Sequence, residues 1–144
     1  MHCETSEDPL GTWKESWYAL ERAYAEGHIS SIGVSNFDHR LLSEFENFGT
    51  ILPHAVQNPA QPGNVDMAVR EWCSSHDAVF MPYSTQRNYK SFPKLIKSAV
   101  KSAALNHNVS PNAIISRFFV QSGIYMFYFF NFEMSSLYKR NIVY

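Results

Sequence analysis

Two cysteines are all that this 144-residue chain holds. Cys3 and Cys73 lie far apart with no second pair, which argues against a disulfide framework or a cysteine-rich zinc site. Both are read as reduced thiols. Net charge is nearly absent as well: 12 basic and 13 acidic residues leave a formal −1, so no field is available to hold nucleic acid or an anionic membrane surface. A small neutral or locally charged ligand suits the chain better. There is no basic-then-apolar leader, because Met1-His2-Cys3-Glu4 runs into the acidic Ser6-Glu7-Asp8-Pro9, and a cytoplasmic location is the expectation. The longest apolar run, residues 113–132, carries Arg117 as its only charge but is interrupted by Gln121, Ser122 and Gly123. No membrane span is expected from it. The six histidines are scattered without a helical metal-ligand spacing, so no metal site is assigned. Neither a Gly-x-Ser-x-Gly elbow nor a phosphate loop occurs.

What is present is an alternation of two periods in a chain that is 45% apolar and 17% charged, the composition of one globular domain. Trp13, Trp17, Leu20 and Tyr24 recur at helical spacing, with Glu15, Glu21, Arg22 and Glu26 expected mostly on other faces, and Gly27 ends the helix. A short strand is predicted over 29–34, then a helix capped by Asp38 with Leu41, Leu42, Phe45 and Phe48 along its apolar stripe. The unit repeats. A strand at 54–57 precedes a loop containing Pro59, Pro62 and Gly63, and Asn64 is expected to cap a helix whose inner face is Val65, Val69, Trp72 and either Cys73 or His76. A third strand covers 78–83. Leu95, Ile96, Ala99, Val100, Ala103 and Ala104 mark another helix, and Ser110-Pro111 opens a last one carrying Ile114, Ile115, Phe118 and Phe119, closed by Gly123. A fourth strand would begin at Ile124.

Strands alternating with helices imply parallel strands and an α/β fold, either an open doubly wound sheet or a barrel. Periodicity does not choose between them, but the missing Gly-x-Gly-x-x-Gly removes the usual phosphate cradle of the doubly wound nucleotide fold and favours the barrel. In a parallel barrel, binding groups collect where the strands end. Those ends carry Ser35 and Asn36, then Gln57 and Asn58, then Tyr83 and Ser84. Asn36 and Gln57 each offer an amide donor and acceptor suited to a ligand carboxamide, and Tyr83 offers a face for a flat heterocycle. Together they describe a nicotinamide pocket. Each residue also has a structural reading: Ser-Asn as a capping pair, the glutamine as a partner for a loop carbonyl, the tyrosine as packing.

Gly33-Val34-Ser35-Asn36-Phe37, preceded by Trp17-Tyr18-Ala19-Leu20-Glu21 and Gly27, resembles the aldo-keto reductase family. Val56-Gln57-Asn58, Pro82-Tyr83-Ser84-Thr85 and the helix from Ser110-Pro111 through Gln121 follow at the intervals that family shows. The resemblance covers residues 11–124 and is to the C-terminal half of the barrel only. It implies a partial (β/α)8 TIM barrel of about four βα units, not closed within this chain, since a complete one has eight strands and roughly 250 residues. It implies NADP(H) or NAD(H) as cofactor, with Ser35, Asn36 and Gln57 on the nicotinamide carboxamide, Tyr83 stacked under the ring and Ser84 near the pyrophosphate. In the intact family hydride passes from that cofactor to a small-molecule aldehyde or ketone. The tyrosine, lysine, aspartate and histidine that do this belong to earlier strands, and His2 does not match the family motif. No catalytic residue is therefore assigned to this chain, and the alternative reading is a catalytically inactive remnant acting at most as a weak nucleotide-binding or protein-interaction module.

After Ile124 the family continues into a Pro-Lys-Ser loop whose lysine binds an adenosine 2′-phosphate, whereas Tyr125 to Phe130 are all aromatic or Met and Lys139 and Arg140 stand outside that motif. Three segments follow: a tail over 1–10, the partial barrel over 11–124 and a divergent aromatic tail over 125–144. An unclosed sheet would present exposed strand edges, which predicts self-association through them.

Overall fold

The computed structural model describes residues 12–48, 50–87 and 89–124. The order of elements is α1 (Trp13–Ala25), β1 (Gly33–Ser35), α2 (His39–Phe48), β2 (Ala55–Pro59), α3 (Met67–Ser75), β3 (Val79–Tyr83), a 3-10 turn (Tyr89–Ser91), α4 (Lys94–Asn106) and α5 (Pro111–Gln121). The three strands form one sheet in the order β1-β2-β3, with β1 and β2 parallel. This is the α/β alternation that the sequence periods predict. The expected fourth strand, from Ile124 on, lies outside the described residues except for Ile124 itself, which is buried.

The chain divides into two compact units, Met1–Pro59 with Asp66–Met81, and Ala60–Val65 with Pro82–Tyr144. In the first, α1 begins with a capping box. The Thr12 hydroxyl accepts from the Glu15 N–H (3.4 Å) while the Glu15 carboxylate accepts from the Thr12 N–H (2.7 Å), and two of the donors left over at a helix start are satisfied. Trp17 of α1 and Leu42 and Phe45 of α2 are fully buried. The Trp17 and Phe45 rings meet edge-on at 4.8 Å and Trp13 meets Phe37 at 5.1 Å, each such pair contributing roughly 1 kcal/mol beyond its buried area.

Glu21 corrects the expected face of α1. It is buried, and its Oε1 accepts from the Trp17 indole (3.2 Å) and from the backbone N–H groups of Thr50 (2.9 Å) and Ile51 (2.8 Å). The reason is helical geometry: Trp13, Trp17 and Glu21 are each four residues apart and share one stripe. The carboxylate is buried because it ties down the turn that leads to β2.

β1 is shorter than predicted, three residues rather than a run from Ile29. The Ile32 N–H, which a longer strand would give to the ladder, goes to His54 Nδ1 (3.1 Å), and the His54 N–H returns a bond to the Ile32 carbonyl (2.9 Å). Pairing then runs Gly33 to Ala55, Val34 to Val56 and Ser35 to Gln57. Gly33 is required there, because a Cβ at this position would lie 2.5 Å from the Ala55 carbonyl oxygen.

Asp38 caps α2 as expected, accepting from the Leu41 N–H at 2.8 Å. The cap of α3 differs from expectation. Asp66 accepts from the Val69 N–H at 3.1 Å, whereas Asn64 pairs through its backbone with Gln61 (2.9 and 3.0 Å). Of the two inner-face candidates, Cys73 is buried, and His76 stacks on Trp72 at 4.3 Å with Glu46 accepting from the Trp72 indole at 3.3 Å.

In the second unit α4 and α5 pack through Val100, Ala104, Ile115 and Phe119. Ser110 caps α5 by accepting from the Ala113 N–H (3.2 Å), Pro111 takes the first turn, and Gly123 at φ +71 follows the helix end. Leu95, placed on the inner face by its spacing, is 80% exposed instead.

Candidate functional site

Ser35 and Gln57 are register partners on adjacent parallel strands. The Gln57 carbonyl oxygen accepts twice from the end of β1, from the Ser35 hydroxyl at 2.9 Å and from the Asn36 N–H at 3.0 Å. The sequence placed Gln57 at the end of a strand over 54–57 and Asn58 just past it; both lie inside β2, which continues to Pro59. Alternation along β2 then separates them. Val56 and Asn58 are buried, while Ala55 and Gln57 lie half-buried on the other face.

Asn58 is 6% exposed and grips the residue after Asn36: its Nδ2 donates to the Phe37 carbonyl at 2.7 Å and its Oδ1 accepts from the Phe37 N–H at 3.2 Å. Satisfying loop backbone, the structural alternative kept open for the glutamine, is therefore what Asn58 does. It does not describe Gln57, whose half-buried side-chain amide has no hydrogen-bond partner among the described residues. Ser35 has committed its one donor to the Gln57 carbonyl and retains lone pairs with which to accept.

Asn36 sits at φ +62, in the left-handed region that Asn tolerates better than most residues. Ser84, the first residue after β3, takes the same conformation at φ +55. Sequence reasoning singled out both positions as strand ends without the conformation; the Asn at 36 was a signal for it, the Ser at 84 was none. Tyr83 and Ser84 belong to the second unit. Tyr83 ends β3 and accepts at its carbonyl from the Ala60 N–H (3.2 Å), and the Ser84 carbonyl accepts from the Arg87 N–H (3.0 Å). The loop beyond is tied by Gln86, whose Nε2 donates to the Asn112 carbonyl (3.2 Å) and to Ser116 Oγ (2.9 Å).

Burial pushes the Cys73 thiol up to about 11, so it is not a thiolate nucleophile at neutral pH. Among the described residues no three His, Cys, Asp or Glu side chains gather as a metal site, and no helix is long and apolar enough to cross a membrane.

Comparison with known proteins gives one consistent result. The chain is 30% identical over 110 residues to 9,11-endoperoxide prostaglandin H2 reductase of Trypanosoma cruzi, a match covering 76% of this chain and 39% of that protein. It is 31% identical over 121 residues to the NAD(P)H-dependent D-xylose reductase of Scheffersomyces stipitis, covering 76% and 38%. Among solved structures, the aldo/keto reductase of Brucella melitensis superposes with a TM-score of 0.67 at 27% identity, over 79% of this chain and 42% of that one. The chain thus spans about two fifths of the length of the relatives it matches, and its fold is part of their (β/α)8 barrel. With the sequence pattern of that family matching residues 1–135, the chain belongs to the Aldo/keto reductase family.

Proposed function

We propose that this chain supplies the nicotinamide-binding strand ends of an oxidoreductase that uses NADP(H) or NAD(H) on a small-molecule aldehyde or ketone. The observation that carries this reading is the Ser35–Gln57 register pair beside Asn36, with the Gln57 amide unengaged among the described residues. A carboxamide has one carbonyl and one NH2; an amide side chain that can donate and accept, next to a hydroxyl left to accept, is its complement. The donor set fits the group. Tyr83 stacking on the nicotinamide ring and Ser84 near the pyrophosphate are the roles the family resemblance gives those residues.

The nicotinamide would supply the hydride; these residues bind and orient it. The family resemblance gives none of them the role of the acid that protonates the carbonyl oxygen, so we propose that residues 1–144 alone do not complete the reduction and act as a weak nucleotide-binding module. The barrel part is taken as 11–124 and the aromatic stretch as 125–144, with the cytoplasm as location. Titration with NADPH tests the binding reading. Weak binding is expected, lowered about tenfold by Gln57→Ala through loss of roughly one or two hydrogen bonds. Equal affinity of Gln57→Ala and the parent chain would remove Gln57 from the site, and sub-micromolar binding would mean that an adenosine anchor exists elsewhere.

A further inference from the structure

We propose that Asn58 is a positioning residue for Asn36, a role that rests on reading Asn36 as a carboxamide contact. Asn36 is the first residue after β1 and holds a left-handed backbone at φ +62. It is fixed from both sides. On one side its own N–H is bonded to the Gln57 carbonyl at 3.0 Å, and the preceding Ser35 hydroxyl is bonded to the same oxygen at 2.9 Å. On the other side the Asn58 side chain closes a two-bond ring on Phe37, donating at 2.7 Å and accepting at 3.2 Å. The Phe37 ring is itself fully buried, edge-on to Trp13 at 5.1 Å.

Asn58 is thus the group that links β2 to the peptide following Asn36. Its neighbour in sequence, Gln57, faces the other side of the strand, so one dipeptide does two jobs: Gln57 meets the ligand and Asn58, buried behind it, sets the backbone that aims Asn36. An amide suits this task, since Phe37 offers one N–H and one carbonyl and Asn58 answers them with an oxygen and an NH2 on one neutral group.

The test uses the full chain and reduced nicotinamide mononucleotide, which lacks the adenosine half. Amide hydrogen exchange is read in parallel. Asn58→Leu keeps the branched shape and removes both bonds. The Asn36 and Phe37 amides should then exchange at least about tenfold faster while the Val34 and Val56 amides in the β1–β2 ladder are unchanged, and affinity for the mononucleotide should fall about tenfold. Asn58→Asp, which keeps the acceptor and loses the donor, should fall between the two and decides the matter if Asn58→Leu does not fold. Unchanged exchange at Asn36, or unchanged affinity despite faster exchange, would overturn the positioning role. Asn36→Gly separates this from the reading beneath it, because glycine keeps the left-handed turn and deletes the amide. If Asn36→Gly binds the mononucleotide as the parent chain does, or the parent chain does not bind it at all, the carboxamide reading fails, and the exchange result still decides whether Asn58 holds the turn.

Discussion

The end of β1 and the end of β3 reach the same backbone conformation by different means. Asn36 and Ser84 are both non-glycine residues at positive φ directly after a strand. At Asn36 the neighbouring strand holds the turn, through the Gln57 carbonyl and the Asn58 amide. At Ser84 the holding groups come from loops, the Arg87 N–H of its own turn on the Ser84 carbonyl and Gln61 Nε2, from the loop after β2, on the Arg87 carbonyl at 3.2 Å. A turn held by a strand is built into the sheet, whereas a turn held by a loop depends on a segment that can vary. The residue types agree with this: Asn tolerates the left-handed region locally and Ser does so less well.

The β1 end is most sensitive at Gly33. A methyl group there meets the Ala55 carbonyl oxygen, so Gly33→Ala should separate β1 from β2 and lower stability by about 3 kcal/mol, the upper part of the range for overpacking. Urea unfolding measures this directly. A loss below about 1 kcal/mol would mean that the strands can part without disturbing the register on which Ser35 and Gln57 rely.

A smaller effect sharpens the contrast between the two turns. Ser84→Gly should raise stability by roughly 0.5–1 kcal/mol by relieving a left-handed serine, while Asn36→Gly should leave it within about 0.5 kcal/mol of the parent, because asparagine there is nearly unstrained and glycine adds freedom to the unfolded chain. Thermal unfolding of the two variants side by side gives the ordering. Equal gains would mean that the strand offers Asn36 no more support than the loop offers Ser84.

The smallest expected signal is chemical. Cys73 is buried in α3 with its thiol pushed from an ordinary 9.0 to about 11, so alkylation at pH 8 should be negligible in the folded chain and complete in urea. The sign for stability follows: the folded state holds the thiol proton more tightly, so this contribution is intact below pH 9 and is lost as pH rises towards 11. Rapid labelling of Cys73 in native buffer would contradict the packing of α3 described above.

Much of the fold was legible because it follows periods. The spacing of Trp13, Trp17 and Tyr24, the cap at Asp38 and the Ser110-Pro111 start each carry a local physical signal, and each appears where the signal put it. What was not legible depended on partners distant in sequence. His54 shortened β1 by taking the Ile32 N–H, the Gln61–Asn64 bridge left Asp66 as the cap of α3, and Glu21 was drawn inward by backbone donors at Thr50 and Ile51. At the candidate site, the sequence supplied Ser35, Asn36 and Gln57 as donors and acceptors at strand ends. It did not separate Gln57 from Asn58, because which of two adjacent amides faces inward is set by where the strand ends, and β2 runs two residues past the boundary that Pro59 suggested.

Contact of the Gln57 side-chain amide and Asn36 with the nicotinamide carboxamide can be read from the side-chain amide resonances of 15N-labelled protein. On titration with reduced nicotinamide mononucleotide, the Gln57 and Asn36 side-chain NH2 signals should shift together and saturate at one dissociation constant, while the Asn58 signal, buried on the Phe37 peptide, should move little. Shifts confined to Asn58 or to residues of α4 and α5, with Gln57 unmoved at saturating ligand, would remove Gln57 and Asn36 from the site.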